Sequence, residues 1–255
     1  MGKRILIDTS KNEETRIAVT AEERLDDYEI ESEKQIAVKG NVYLAKITRV
    51  EPSLQAAFVD FGEQKIGVLY VSDINRVNNE KIENMIKVDQ EIIVQIVKDA
   101  MGEKGARLTS QVSFPGRFLV LIPNSNTKGI SRRLSEEERG RLDNIIRQIR
   151  PKGFGVIVRT AAEGATQEAL QDDIERLLRQ WNKVESNVDN SAPSLIHKEY
   201  DISIRVVREH LNSGFKKLLI DNEKIFNEIK GYLQDTSHEL IDLIEQYNDE
   251  LPLFD

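Results

Sequence analysis

Short runs rich in apolar and β-branched residues, separated by polar turns, dominate the first 111 residues of the chain. Such runs occur at 3–8 and 15–20 around a polar turn, with a third candidate near 25–31. Five more runs follow, bounded by turn residues, at 42–50, 56–61, 66–71, 91–98 and 106–111. Runs of this length and composition between turn signals are typical of β-strands. Five short strands within about 80 residues predict a small closed barrel of the OB type.

Beyond residue 116 the pattern changes to strands that alternate with helices. Strands are predicted at 117–122 and 154–159, and Ser135 opens a helix that reaches about residue 150. Apolar residues recur at helical spacing over 170–181, which predicts an amphipathic helix whose apolar stripe lies in a core.

The last 70 residues continue this mixed pattern. A polar linker is predicted at 185–194, followed by a helix near 204–211 and a strand at 217–220. Two further helices are predicted near 222–233 and 236–247. The predicted order is therefore strands, barrel, α/β, and α/β again.

The charge of the chain is unevenly distributed. Its 255 residues carry a formal net charge of −8, and at about 150 residues per domain they form one or two domains, or three small ones. Residues 116–160 hold 10 Lys or Arg and 4 Asp or Glu, which is a local charge of +6. An anionic ligand is expected there, although a solvated helix face accounts for part of this charge. No apolar run approaches the roughly 20 residues of a membrane span, so we predict a cytoplasmic protein without membrane insertion.

No catalytic or metal centre is apparent in the sequence. There is no cysteine, and the three histidines are far apart, which excludes thiolate chemistry and any histidine cluster with metal-ligand spacing. Serine-triad, zinc-protease and nucleotide-loop motifs are absent as well. The acidic pairs Asp26-Asp27 and Asp172-Asp173 are expected to lie on solvated surfaces.

Features that fit nucleic-acid binding are clearer. An OB-type barrel binds single strands by stacking bases on exposed aromatic side chains beside a positive groove. Alternation places Phe58 and Phe61 on opposite faces of one strand, so one of them points outward, and spacing alone leaves open which. The candidates for contacts with a nucleic-acid backbone are Lys46, Lys65, Lys104 and Arg107.

A second candidate site lies in the cationic segment. Val156-Ile-Val-Arg-Thr160 places a guanidinium and a hydroxyl at the end of a strand beside backbone N–H groups, which is the set of donors that a terminal phosphate needs. Gly129-Ile-Ser-Arg-Arg133 supplies further basic residues.

Taken together, these segments resemble the N-terminal half of the ribonuclease E/G family of bacterial endoribonucleases. The resemblance runs in order from residue 3 to residue 254. The matching segments are Lys46-Ile-Thr-Arg-Val-Glu-Pro-Ser-Leu54, Ala56-Ala-Phe-Val-Asp-Phe-Gly62, Gly129-Ile-Ser-Arg-Arg133, Val158-Arg-Thr160, Leu219-Ile-Asp-Asn222 and Leu251-Pro-Leu-Phe254.

The resemblance implies an α+β multidomain fold. In the family, an OB-type (S1-like) β-barrel and an α/β 5′-sensor are inserted into a discontinuous RNase H-like α/β domain that is structural and has no active carboxylate cluster. The implied ranges are 1–36 and 200–255 for the RNase H-like domain, 37–115 for the S1-like domain and 116–199 for the sensor.

The resemblance also implies which barrel residues bind RNA. The stacking phenylalanine of the family matches Phe58, and its RNA-contacting lysine matches Lys104. A second family aromatic falls at Val68, so half of the stacking platform is missing. Neighbouring Tyr70 is a candidate replacement, but its strand parity and the shift in position argue against it.

In the sensor, the residues that grip a 5′-monophosphate match Arg159 and Thr160. A supporting arginine matches Arg132, and the residues beside the terminal nucleotide match Gly116 and Val120.

The sequence departs from the family at two places. The Gly-Lys-Ser of some members is Gly164-Ala165-Thr166 here, which removes any contact from that lysine. The DNase I-like domain, with two magnesium-binding aspartates, and the cysteine pair that shares zinc between protomers would follow residue 254. The resemblance thus implies Mg and Zn for the full-length enzyme, no cofactor in this chain, and a chain that binds RNA without cleaving it.

We therefore interpret the chain as the single-stranded RNA-binding and 5′-monophosphate-sensing portion of an RNase E/G-type endoribonuclease of RNA processing and mRNA decay. Full-length family members homo-oligomerise. Two alternatives remain open at this point. One is a stand-alone, non-catalytic RNA-binding or regulatory module, and the other is an interaction protein whose barrel binds a protein partner.

Overall fold

The computed structural model describes residues 2–11, 13–22, 24–32, 38–74, 80–188, 191–210, 214–249 and 251–254. The strands are β1 (Lys3–Asp8), β2 (Glu14–Ala21), β3 (Arg24–Ser32), β4 (Val42–Glu51), β5 (Ala56–Asp60), β6 (Gly67–Tyr70), β7 (Glu91–Lys98), β8 (Arg107–Thr109), β9 (Phe114–Pro115), β10 (Leu119–Pro123), β11 (Lys128–Ile130), β12 (Phe154–Val158), β13 (Ser194–His197), β14 (Phe215–Ile220) and β15 (Ile244–Gln246). The α-helices are α1 (Ile82–Met85), α2 (Glu136–Ile149), α3 (Gln167–Ser186), α4 (Ile202–His210) and α5 (Glu223–Thr236). Short 3-10 helices span Pro52–Leu54, Val71–Asp73, Thr160–Ala162 and His238–Leu243.

The chain divides into two compact units. The first consists of Met1–Ala37, Thr160–Glu163 and Tyr200–Asp255, and the second of Val38–Arg159 and Gly164–Glu199. Among the described helices, none is long and apolar enough to cross a membrane.

The first unit is built on a five-stranded sheet in the order β15-β14-β1-β2-β3. Strand β1 runs parallel to β14 and antiparallel to β2, so this sheet joins the beginning of the chain to its last part. Apolar side chains of β1, β2 and β14 form one core with those of α4 and α5, in which Ile5, Ile7 and Leu218 are fully buried. The sheet is therefore discontinuous in sequence.

The barrel lies in the second unit. Its strands follow the order β4-β5-β6-β8-β7, and pairing of β4 with β7 closes the ring. Alternate residues point into the ring and form its core, including Ile47, Val59, Leu69 and Leu108. The prediction of a closed five-stranded barrel is confirmed.

The rest of the second unit is a four-stranded sheet in the order β11-β12-β10-β9, with helices α2 and α3. Helix α2 begins where the capping motif predicts, because the Ser135 side chain accepts a hydrogen bond from the N–H of Glu138. The apolar stripe of α3 is buried from Leu170 to Trp181, which confirms the predicted amphipathic helix.

One prediction about the C-terminal third is wrong, and another misses a strand. The helix expected at 236–247 is a 3-10 helix, His238–Leu243, followed by strand β15, which pairs in parallel with β14. The linker expected at 185–194 overlaps α3 at its start and β13 at its end, and β13 pairs with the barrel strand β4. Both differences come from strand pairing with residues far away in sequence, which a local pattern does not contain.

Candidate nucleic-acid interface

Four side chains form a row across the outside of the barrel, one from each of four neighbouring strands. Arg49 pairs with Phe58, Phe58 pairs with Val68, and Val68 pairs with Arg107. We call these four residues the outer row. A cross-strand row of this kind places its side chains on one face of a sheet.

Phe58 lies on the outer face, and Phe61 lies in the core at 3% exposure, which answers the question that alternation left open. Phe58 is partly exposed, whereas Ala57 and Val59 on either side of it are buried in the barrel.

Arg49 reaches the outer face because of an irregularity in β4. The register with β5 shifts between Ile47 and Arg49, so the buried Ile47 and the exposed Arg49 point in opposite directions despite their even spacing. The guanidinium carbon of Arg49 lies 4.2 Å from the ring centroid of Phe58, which is a cation–π contact. A base that approaches Phe58 therefore meets an aromatic ring and a positive charge together.

A second contact of the same type lies beside the outer row. Tyr70 is 41% exposed, and the guanidinium carbon of Arg107 lies 5.5 Å from its ring centroid. Asp73 holds this guanidinium through two hydrogen bonds of 2.8 and 2.9 Å, a bidentate arrangement that fixes its plane. The parity argument against Tyr70 is wrong, because Val68 and Tyr70 are two residues apart on one strand and so share a face.

Lys104 lies in a tight turn just before β8, where its backbone pairs with Met101. The turn sits against the barrel at Gly105, since a Cβ placed there would lie 1.9 Å from the carbonyl oxygen of Ile66. Only glycine fits this close approach. Lys104 itself is exposed.

The other lysines proposed for backbone contacts are engaged elsewhere. Lys46 forms an ion pair with Asp89 at 2.9 Å, and Lys65 donates a hydrogen bond to the carbonyl of Gly102. Of the four basic candidates, Lys104 and Arg107 are the two on or next to β8, with Arg107 in the outer row itself.

Four of the predicted phosphate-binding residues belong to the second unit and lie at one end of its four-stranded sheet: Gly116, Val120, Arg132 and Arg159. Arg159 follows β12 directly, and its backbone N–H donates to the carbonyl of Phe118 at 2.8 Å. Its guanidinium donates to the carbonyl of Gly116 at 2.6 Å. Thr160 is the next residue in the chain and begins the 3-10 helix Thr160–Ala162.

Strand register brings the other predicted residues to the same sheet. Val120 pairs with Ile157, and Gly129 pairs with Ile157 from the other side. The N–H of Ser131 donates to the carbonyl of Val158, so the exposed Arg132 follows at the strand end that carries Arg159. The sheet thus aligns two segments that are about 30 residues apart in sequence.

The structure adds one residue that sequence analysis misjudged. Asp173 on α3 was expected to be solvated, but it is 1% exposed. Its carboxylate accepts hydrogen bonds from three consecutive backbone N–H groups, those of Arg117 at 3.3 Å, Phe118 at 2.9 Å and Leu119 at 3.1 Å. Burial raises the pKa of Asp173 above its ordinary value, and these donors together with nearby Arg176 oppose the rise.

Asp173 also explains the glycine at 116. A Cβ on Gly116 would lie 2.5 and 2.7 Å from the two carboxylate oxygens of Asp173, which is too close for any side chain. Asp173 on α3 therefore fixes the position of the segment 116–119. The same segment contains the carbonyls of Gly116 and Phe118, which accept hydrogen bonds from Arg159. Asp172 is exposed, so only the second member of this acidic pair is structural.

The loop at Gly164-Ala165 is held by α2. Glu138 accepts a hydrogen bond from the N–H of Gly164 at 2.8 Å, and Arg141 donates to the carbonyl of Ala165 at 2.9 Å. The Arg141 side chain, hydrogen-bonded to Glu138, lowers the pKa of that carboxyl to about 2. The pair is therefore fully ionised at neutral pH.

A depression of about 420 Å³ opens between β11 and α2. Its lining includes none of the predicted phosphate-binding residues. The residues that line the depression are Lys128, Gly129, Ile130, Glu136, Arg139, Gly140 and Asp143.

The residues that the structure describes include no group of three or more His, Cys, Asp or Glu side chains placed to hold a metal ion. The Mg and Zn implied by the resemblance therefore have no fitting donor set among them, and no chemical step is assigned to a metal here.

A closed barrel with aromatic and basic side chains on its outer face defines an S1-type nucleic-acid-binding protein. In agreement, the family model described as "S1 RNA binding domain" matches residues 37–110. The model described as "Ribonuclease E/G family" matches residues 113–255. The chain belongs to the ribonuclease E/G family, which confirms the resemblance stated above.

Individual relatives match over nearly the whole chain. Ribonuclease E of Haemophilus influenzae is 39% identical over 99% of this chain and 28% of its own length. Ribonuclease E of Escherichia coli K12 is 37% identical over 99% of this chain and 25% of its own length. Ribonuclease G of H. influenzae is 35% identical over 98% of this chain and 54% of its own length. The chain thus spans between a quarter and just over half of the length of these relatives.

Proposed function

We propose that the chain is the RNA-binding and 5′-end-recognising portion of an RNase E/G-type endoribonuclease, and that its ligand is single-stranded RNA with a 5′-monophosphate. Family membership and the S1 match support RNA as the ligand. The proposal assigns binding to these residues and assigns them no bond-breaking step.

The observation that most directly supports this function is the outward position of Phe58 in a strand whose neighbouring residues are buried. Its ring lies on the outer face of the barrel beside the Arg49 guanidinium, which is the pairing of aromatic ring and positive charge that single-strand-binding surfaces use. Stacking accepts any base, so such a platform binds single strands without strict sequence preference. Lys104 would then neutralise a phosphate of the same strand.

The terminal phosphate is assigned to the strand end at Arg159 and Thr160. Arg159 lies at the end of β12, its guanidinium is held on the carbonyl of Gly116, and a guanidinium forms charge-assisted hydrogen bonds of the kind that hold a phosphate. The Thr160 hydroxyl adds a neutral donor, and Arg132 adds charge. Gly116 and Val120 would lie beside the terminal nucleotide.

Further parts of the proposal rest on the family resemblance alone. They are homo-oligomerisation of the longer protein, a role for Mg in its catalysis and for Zn between its protomers, and a cytoplasmic location.

Replacing Phe58 with alanine is expected to weaken RNA binding by about 5- to 150-fold, because stacking contributes about 1–3 kcal/mol per base. The measurement is fluorescence anisotropy at fixed salt with a single-stranded RNA that carries a 3′ dye and a 5′-hydroxyl. Phe58→Trp is the matched control and should bind at least as well as the unaltered chain. Unchanged affinity for Phe58→Ala would favour the alternative in which the barrel binds a protein.

The unaltered chain is expected to bind 5′-monophosphate RNA about tenfold or more tightly than 5′-hydroxyl RNA, because charge-assisted hydrogen bonds hold the phosphate. Replacing Arg159 with alanine removes these hydrogen bonds and is expected to abolish the preference. Paired titrations with the two RNAs at one salt concentration measure it. Arg147→Ala is the control, since Arg147 is an exposed arginine of the same unit whose partner is Asp143. Equal binding of both RNAs by the unaltered chain would exclude the phosphate site and leave the barrel site intact.

A further inference from the structure

We infer that Tyr70 and Arg107 form a second base-stacking position on the barrel, which takes a further nucleotide of the single strand that Phe58 binds. The inference rests on the proposed RNA-binding function and extends it to residues outside the family pattern. It gives this chain a replacement for the aromatic that is missing at Val68.

The strand register places Tyr70 within reach of the same RNA. Val68 pairs directly with Phe58, and Tyr70 is the next residue of β6 on that face. The side chains of neighbouring strands are about 5 Å apart, and those two residues along a strand are about 7 Å apart. Phe58 and Tyr70 are therefore diagonal neighbours on one outer face. The two other positions of this patch are the partly exposed Val68 and the buried Ala56, and both have short side chains.

The ring of Tyr70 is already prepared for stacking. It is 41% exposed although it belongs to a barrel strand, where its partner on β5 is the buried Ala56. A large aromatic that is neither in the core nor under another element is suited to a ligand with a flat face. The bases of an unpaired strand have such faces.

Arg107 and Asp73 give this position its geometry. Asp73 fixes the guanidinium plane through two hydrogen bonds, and the backbone carbonyl of Asp73 accepts from the hydroxyl of Thr109 at 2.7 Å and from the N–H of Ser110 at 2.9 Å. The acceptor is thus anchored at both its backbone and its side chain. The Arg107 side chain is still 48% exposed, so its remaining donors can reach a phosphate.

The two aromatic contacts repeat one design. In each, an arginine from a neighbouring part of the barrel lies over an exposed ring, Arg49 on Phe58 and Arg107 on Tyr70. Both arginines belong to the outer row, and Lys104 lies three residues before Arg107. Two rings with three cations favour a polyanion with stackable bases over an apolar or acidic protein surface.

The test is anisotropy titration of the full chain with 3′-labelled oligoadenylates that carry a 5′-hydroxyl, in lengths from about 4 to about 16 nucleotides, the range bound by single OB folds. Tyr70→Ala should weaken binding of the longer oligonucleotides by about 5- to 150-fold. It should have much less effect on the shortest ones, which a single stacking position can hold. Tyr70→Phe keeps the ring and should bind like the unaltered chain.

Two controls separate stacking from other effects. Tyr28→Ala removes a tyrosine of nearly equal exposure, 42%, from the first unit and should leave affinity unchanged. The slope of log affinity against log salt should stay the same for Tyr70→Ala, whereas Lys104→Ala should reduce it by about 0.7, the value of one phosphate contact on a single strand.

The result separates this inference from the function on which it rests. Weakening by Phe58→Ala together with unchanged binding by Tyr70→Ala at every length would overturn the second position and keep the first. Unchanged binding by both variants would remove the barrel as an RNA site altogether. A loss for Tyr70→Phe as large as that for Tyr70→Ala would also overturn stacking, because the hydroxyl would then be the group that matters.

Discussion

Replacing Asp8 with alanine is expected to lower the free energy of unfolding of the first unit by about 3–5 kcal/mol, because it breaks a buried ion pair by removing one of its two partners. The side chains of Asp8 and Arg16 are 0% and 4% exposed and are joined at 2.7 Å. Arg16 also donates to the carbonyl of Phe254 at 3.1 Å and lies 5.0 Å from the centroid of its ring. The ion pair thus connects β1 and β2 with Phe254, which belongs to the segment 251–254 that resembles the family.

Amide hydrogen exchange of β1 and β14 is the suitable measurement, because the single tryptophan, Trp181, lies in the other unit. Asp26→Ala is the matched control in the same unit. It breaks the pair of Asp26 with Lys3, which is exposed to solvent, and should change exchange far less. The double replacement of Asp8 by leucine and Arg16 by methionine should recover most of the loss, since removing both charges removes the penalty. Equal effects of Asp8→Ala and Asp26→Ala would contradict the argument.

The pair also predicts a pH dependence. Burial raises the pKa of Asp8, but hydrogen bonds from Arg16 and Ser10 outweigh burial and hold that pKa below its usual value of 3.8. A carboxyl with a lowered folded-state pKa stabilises the fold above its unfolded pKa, and this stability is lost as the pH falls through the folded pKa. The difference between the unaltered chain and Asp8→Ala should therefore be constant from neutral pH to about 4 and shrink below it.

Local sequence patterns predicted the parts of the fold that local forces determine. The start of α2 at Ser135 follows from one side chain that caps a backbone N–H, and the buried stripe of α3 follows from helical spacing alone. The segment after residue 236 was predicted wrongly because its structure depends on a strand that is distant in sequence, which a local pattern does not contain. Leu240, Ile241, Leu243 and Ile244 have helical spacing and pack on the core, but β14 offers an open edge that converts the last of them into a strand.

The sequence predicted the candidate site only as far as strand alternation determines the direction of a side chain. Phe58 could be placed on one of two faces, and choosing between them required the closed barrel. Arg49 required the register shift in β4, which alternation does not reveal. Asp173 was missed because an aspartate beside another aspartate on a helix has the pattern of a solvated pair, and its three N–H donors come from residues more than 50 positions away.

Replacing Asp173 with alanine is expected to lower the free energy of unfolding of the second unit by about 3 kcal/mol, because three backbone N–H groups lose their acceptor in a buried setting. Asp173→Asn should cost less. An amide oxygen in the place of Oδ2 can still accept from Phe118 and Leu119, whereas the amide nitrogen in the place of Oδ1 can only face the N–H of Arg117. Urea unfolding followed by Trp181 fluorescence reports this directly, since Trp181 lies on the same helix and packs against Phe114.

The close approach of Gly116 to Asp173 provides an internal check. Gly116→Ala should destabilise the unaltered chain, because its Cβ would meet the carboxylate at 2.5 Å. In an Asp173→Ala background the same change should cost clearly less, since the opposing oxygens are gone. A double-mutant cycle measures the difference. Additive effects would mean that the carboxylate does not hold this segment.

Asp173 should also act on RNA recognition as a positioning residue. The segment from Gly116 to Leu119 carries both carbonyls that Arg159 binds, so loosening it frees the guanidinium from its alignment. Asp173→Asn is therefore expected to reduce the preference for a 5′-monophosphate and leave affinity for 5′-hydroxyl RNA, which depends on the barrel, unchanged. A purely structural role would lower both affinities together or neither. The ratio of the two affinities in the folded variant therefore decides whether α3 supports the fold alone or also holds Arg159, the residue proposed to bind the 5′-phosphate.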